Sequence, residues 1–286
     1  MLEAGVLLAF AAMLCWGVGD FLIQRSVRKF GDVQTLAFIG IVGAVGLLPF
    51  IAADFGRLTS EGIAFLAGIG AITFIVAILN FEALKQGKLS VVEVILEMEL
   101  PVTVVLGIIF LGEILTIPQL LAILAVFAGI ILMAAGSLSI GHMLKNMERG
   151  ALIAGAAAIG MGIVNFLTGV GSKDISPLMA IWVPWIGFTA LCFAYMIRKN
   201  LLRDFFGNAA KNWQLAGLTG AFDTMAWLFF ALAVTGSQIS ITIGITESYP
   251  AIAIALGCYF NREAIATHQA AGAMIAVGSS VALALI

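Results

Sequence analysis

Charge is scarce in this sequence. Asp, Glu, Lys and Arg together make up 10% of its 286 residues, where soluble domains carry about 25%. With 62% of the chain hydrophobic, that deficit excludes a water-soluble globular fold and points to an integral membrane protein. Long charge runs are absent, and a net charge of −2 leaves nucleic acid without a footprint. Cysteine is limited to Cys15, Cys192 and Cys258, all in apolar stretches. An odd count in such places speaks against a disulfide framework or a metal site. His142 and His268 are isolated and loop-adjacent, so neither a metal nor a cofactor is expected. A cleavable leader is not expected either. A positive n-region is missing, Glu3 stands near the start, and the first apolar run reaches Asp20 without an A-x-A-type site.

What the chain has instead is hydrophobic runs. A window of about 19 residues places ten spans, near 4–24, 33–53, 62–83, 89–111, 117–136, 150–170, 178–198, 213–234, 238–260 and 266–286. Charges and turn residues fill the breaks, as at Arg25-Ser26-Val27-Arg28-Lys29 and Arg198-Lys199-Asn200. Spans of about 20 residues leave short loops and no room for a soluble domain.

The chain also repeats itself. Gly68, Phe81, Gly87 and Pro101 recur 149 positions later as Gly217, Phe230, Gly236 and Pro250. With one inserted residue, Glu113 and Gln119 return as Glu263 and Gln269. Gly17-x-x-Asp20-Phe21-Leu22 returns as Gly162-x-x-Asn165-Phe166-Leu167. The expected fold is therefore an all-α membrane protein of ten transmembrane helices in two five-helix repeats, residues 1–140 and 146–286. An odd number of spans per repeat turns the second copy upside down. Inverted repeats of this kind build alternating-access transporters, with the solute site between the halves near mid-depth.

The run F-E-A-L-K-Q-G-K-L-S, followed by E-L-P-V-T-V-V-L-G-I-I-F-L-G-E-I-L-T-I-P-Q, resembles the EamA family of the drug/metabolite transporter superfamily. The opening A-M-L-C-W-G-V-G-D is similar to that family's first helix. The resemblance covers the chain as two EamA repeats, with Asn261-Arg262-Glu263 where the first copy has Leu111-Gly112-Glu113. It implies ten helices, a central cavity and transport of small organic solutes such as amino acids, sugars or drugs, without naming one.

Loops on one side hold twelve of the fourteen Lys and Arg residues, against Arg57 and Lys173 on the other. The positive-inside rule then puts both termini outside the cell membrane, although the resemblance implies cytoplasmic termini. The six-to-one bias favours the charge count.

Within the spans, acids stand out, because a carboxylate at mid-bilayer costs about 2.5–3.5 kcal/mol on the insertion scale. Glu93, Glu97 and Glu99 share span four, Asp223 lies in span eight and Glu247 in span nine. Glu97 and Glu247 each sit within one turn of a proline, Pro101 and Pro250, whose missing N–H frees backbone carbonyls. On an unbroken helix Glu93 and Glu97 share a face, while Glu99 is rotated by roughly 200° from Glu97. Glu97 is thus expected on the pathway, Glu93 nearer its mouth, and Glu99 with a polar partner elsewhere. Each acid is a candidate proton carrier, or else a neutral group tying helices together.

Two acid–aromatic pairs share helix faces at i, i+4 spacing: Trp16 with Asp20, and Asp223 with Trp227. With Tyr249, they suit an organic cation through cation–π attraction and charge neutralisation. For Trp16, Trp182 and Trp185, anchoring at the membrane interface is the competing expectation. Asn80 and Asn165 are candidates for solute binding or for helix–helix hydrogen bonds. Small residues in span ten, including Gly272 and Ala276, fit either internal packing or a homodimer.

The expected function is secondary transport of a small organic solute (an amino acid, amine or similar metabolite or drug), with the proton as candidate coupling ion. The partners would be the solute and the bilayer, the protein being monomer or homodimer. A pH-independent facilitator with structural acids is the alternative. A membrane enzyme lacks nucleophile or Ser/His/Asp clustering in the loops, and an ion channel lacks repeated polar faces.

Overall fold

The computed structural model describes residues 4–86, 95–134, 149–261 and 265–286. Among them every regular element is helical: α1 (Ala4–Phe30), α2 (Asp32–Leu47), a 3-10 turn (Ala52–Arg57), α3 (Ser60–Gln86), α4 (Glu99–Leu111) and α5 (Ile117–Ala134) come first. The second half follows with α6 (Arg149–Asp174), α7 (Pro177–Arg198), α8 (Leu202–Lys211), α9 (Trp213–Thr235), α10 (Ile239–Thr246), α11 (Pro250–Asn261) and α12 (Thr267–Leu283). Glu93 and Glu263 lie outside the described residues.

Six segments are long and apolar enough to cross a bilayer: 4–30, 60–83, 152–174, 177–198, 213–235 and 239–260. The apolar helices at 32–47, 99–111 and 117–133 are shorter. This is a multi-pass membrane protein.

Local chemistry sets the helix ends. The Ser176 hydroxyl accepts the Met179 N–H at 3.3 Å, with Pro177 opening α7. Gln119 accepts the Thr116 N–H before α5, and Gln269 accepts the Ala266 N–H before α12, both at 2.9 Å. A side-chain oxygen in each case takes a donor that the first helical turn leaves open.

Two stretches differ from the hydropathy reading. α2 stops at Leu47, just ahead of Pro49, so the second span is shorter than 33–53. The loop expected after span seven holds α8, which is amphipathic and too short for a hydropathy window to register. Its Phe205 is buried, 4.5 Å from the Phe38 ring and 5.4 Å from Phe193, while Phe206 on the next position is exposed.

The most extensive packing runs between the two halves. α1 lies along α9 and α3 along α6; α2 packs on α7, and α5 on α12. α4 meets α6, while α10 and α11 meet α1. Two glycines permit the last two contacts. A Cβ on Gly17 would come within 3.0 Å of the Tyr249 carbonyl, and one on Gly162 within 3.0 Å of the Glu99 carbonyl. The small residues of α12 serve internal packing: the Gly272 and Ala276 backbones lie directly against Gly129 of α5.

Candidate functional site

Spans four and nine are each interrupted near their middle. Helical residues 95–96 give way to a turn at Glu97 and Met98 before α4 begins. In the second half, Glu247, Ser248 and Tyr249 form the turn between α10 and α11. Pro101 and Pro250 bring no N–H to these points. The chain tightens instead: Met98 N–H reaches Ile95 O at 3.1 Å, and Tyr249 N–H reaches Thr246 O at 3.0 Å. The second turn is braced from α12, where the Ser280 hydroxyl donates to the Gly244 carbonyl at 3.3 Å and also bonds Ser248 Oγ at 2.5 Å.

These turns carry two of the acids, Glu97 and Glu247, and Asp223 lies on α9. Glu97, Asp223 and Glu247 are buried, at 9%, 7% and 2% exposure. Glu247 Oε2 has no hydrogen-bond partner among the described residues. The Glu247 carboxyl hydrogen-bonds that of Glu99 and lies in the field of Glu97. Asp20 acts on both Glu99 and Asp223. Among the described residues, the charged groups that act on Glu99, Asp223 and Glu247 are other carboxyls. Asp20 itself is exposed although it lies deep in α1. A side chain there faces either lipid or an inner hollow, and its neighbours Glu99, Asp223 and Tyr249 place it on the inside.

Glu99 thus joins the cluster. The 200° rotation holds only on a continuous helix, and the turn at Glu97 and Met98 resets it. Glu97 acts on Glu247 and Tyr249.

The two acid–indole pairs come face to face. Trp16 meets Trp227 edge-on at 5.2 Å and lies 6.3 Å from the Tyr249 ring and 5.7 Å from Phe230. Trp185 is buried, 5.8 Å from Trp227, and its Nε1 donates to Thr224 Oγ1 at 3.3 Å. Interface anchoring is therefore not the role of Trp16 or Trp185. Of the three, Trp182 stands at a bundle end, against Phe55, its Nε1 donating to the Ala44 carbonyl at 2.9 Å. Asn165 is buried on α6, one turn past Gly162. Asn80 on α3 has a buried Oδ1 without a hydrogen-bond partner.

One end of the bundle carries a cluster of polar ties between the halves. It is the face from which α1 starts, because Gly5 lies against Ala233 and Gly236, just before α10. Here α4 ends at Gly112, whose left-handed φ of 64° swings the chain back. The turn delivers the Glu113 carboxylate onto the first residues of α10. It accepts N–H bonds from Ile239 at 2.5 Å and Ser240 at 2.9 Å, plus the Ser240 hydroxyl at 2.5 Å. Lys173 Nζ stands 4.0 Å away. A carboxylate suits a helix N-terminus, where unpaired amides and the helix dipole are both positive. Gly107 makes the room, since a Cβ there would sit 2.6 Å from Glu113 Oε2. On the same face Ser176 Oγ donates to Asp54 at 2.9 Å, and Gln238 Nε2 donates to the Ile114 carbonyl at 3.2 Å. Sequence reasoning met Glu113 only as a repeated residue. The signal available was its recurrence with Gly107, as Gly257 and Glu263.

A solved crystal structure covers 100% of this chain and 99% of its own with a TM-score of 0.75, at 16% identity. That likeness is one of fold. An uncharacterized protein of Methanocaldococcus jannaschii is 29% identical over 136 residues, which is 46% of this chain but 98% of that one. It is therefore about the size of one repeat. The sequence profile of the EamA-like transporter family matches twice, at residues 3–135 and 148–285. The chain belongs to the EamA-like transporter family.

Proposed function

We propose that the protein is a secondary transporter that moves a small organic cation or zwitterion by alternating access, in exchange for protons. The observation that carries this reading is the carboxyl cluster at and beside the two helix turns, where Glu99, Asp223 and Glu247 lie in the field of other carboxyls and the rings of Trp16, Trp227 and Tyr249 pack together beside them. Carboxyls held this way can exchange a proton for the solute's ammonium group, and broken helices at mid-depth are where transporters of inverted design bind their cargo.

Two inverted halves of five spans, 1–140 and 146–286, fit the packing. Under the exchange of halves, α1 on α9 maps to α6 on α3, and α4 on α6 maps to the α10–α11 span on α1. The glycine contacts at Gly17 and Gly162 exchange in the same way. Ten spans result when the shorter helices and α12 are counted with the six long ones. The face tied by Glu113, from which α1 starts, lies outside by the positive-inside count. Glu97, Glu247 and Asp223 are the primary proton and solute ligands, joined by Asp20, Trp16, Trp227 and Tyr249. Asn80 and Asn165 are further candidate solute ligands.

Purified protein in liposomes tests the reading. An imposed pH gradient should drive uptake of an organic amine, and the movement should collapse with the gradient. Absence of amine or zwitterion movement under both a pH gradient and a voltage would overturn it.

A further inference from the structure

The end of the bundle opposite the Glu113 contact carries a helix too short to cross a bilayer. α7 starts beside Ser176 on the Glu113 face, and its 22 residues carry it roughly 33 Å to the other end. It stops in a Schellman turn: Asn200 takes a left-handed φ of 57°, and the Leu201 N–H reaches back to the Met196 carbonyl at 2.9 Å. The chain then crosses the bundle end as α8. Leu202, Phe205 and Ala209 face inward, with Phe205 stacked on Phe38 of α2 at 4.5 Å and edge-on to Phe193 of α7 at 5.4 Å. The Asn208 side-chain amide donates to Gln34 Oε1 of α2 at 2.8 Å. α8 is thereby seated on both halves.

Its other face is left to the surroundings. Phe206 is exposed and shares a flank with Arg203, three residues earlier. Trp213, which opens α9 two residues past Lys211, is 68% exposed. Exposed Tyr195 and Ile197 in the last turns of α7 continue this apolar surface. Beside the rings stand Arg198, Lys199, Arg203 and Lys211, all exposed. Between 195 and 213 the one acid is Asp204. Among the described residues no ion pair engages any of the four cations. Water alone would not favour an exposed Phe and Trp, and a zwitterionic lipid would leave the cations without counter-charge. Rings at the acyl boundary with cations around them match an anionic headgroup layer.

We propose that α8, with the adjoining ends of α7 and α9, is a binding surface for anionic phospholipid. Arg198, Lys199, Arg203 and Lys211 hold the headgroup phosphates, and the acyl chains lie against Phe206 and Trp213. By the positive-inside count this face is the cytoplasmic one, where anionic lipids give the leaflet its negative surface. The surface uses none of the carboxyl cluster, so it stands or falls apart from the transport reading.

Tryptophan fluorescence of the full-length protein in vesicles tests this, because Trp213 is exposed and the other four tryptophans are not. Phosphatidylcholine with brominated acyl chains quenches an indole that it touches. Exchanging part of it for plain phosphatidylglycerol should relieve the quenching at about ten-fold lower mole fraction than plain phosphatidylcholine does. Trp213→Phe should remove most of that relief. Arg198→Gln, Lys199→Gln, Arg203→Gln and Lys211→Gln together should bring the two lipids level. The lipid exchange on the unsubstituted protein decides the matter even if the fourfold variant fails to fold. Equal relief by both lipids overturns the proposal, and so does a preference that survives Trp213→Phe or the fourfold change.

Discussion

Ser240 gives Glu113 two hydrogen bonds, one from its backbone N–H at 2.9 Å and one from its hydroxyl at 2.5 Å. The contact joins the end of α4 to the start of α10, and so one half of the protein to the other. Glu113→Ala removes acceptors that nothing nearby replaces and should cost about 1.5–3 kcal/mol. Gly107→Ala should do similar damage by pushing the carboxylate aside. Because both act on one contact, the double variant should lose much less than the sum of the two. Thermal unfolding of the three variants measures this.

Glu247→Gln keeps the shape of a buried side chain and removes its ionisable group. Stability should hold or rise, since a buried acid without full hydrogen bonding is a liability to the fold. Transport should be lost, and with it the dependence on a pH gradient. Liposome flux together with a melting curve separates the two effects.

Pro250→Ala restores an N–H at the second turn, where the chain now makes short i to i+3 bonds. The variant should be more helical and more stable, and slower in transport, because the turn that holds Glu247 in the cluster is what the proline maintains. Transport rates at matched protein density, read beside melting temperature, test it.

Gly17→Ala should drive α1 off the Tyr249 carbonyl, and Gly162→Ala should drive α6 off that of Glu99. Overpacking of this kind costs about 1–3 kcal/mol. Comparable losses at both positions, measured by thermal unfolding, are expected from a duplicated contact.

The helical, membrane-spanning character and the duplication were legible in the sequence, because apolar runs recur and duplication leaves copies at a fixed offset. Gly17 and Gly162 were readable as a repeat, and the structure gives each the same kind of contact. The mid-span acids were legible too, since lipid does not tolerate them. Relations between helices were not. Spacing put Asp20 with Trp16 and Asp223 with Trp227, yet no periodicity says that one helix faces the other. Glu99 was misplaced for a related reason, as 100° per residue fails at a turn. Glu113 looked like an ordinary charge at a span edge, and its partner Ser240 is 127 positions away.

The central claim is that solute and proton compete for the same buried carboxyls. The direct measurement adds 2-phenylethylamine to the purified protein in a weakly buffered solution containing a pH dye. The account predicts that protons are released as the amine binds, and that Glu247→Gln releases fewer or none. Amine binding with no proton release at any pH would contradict it.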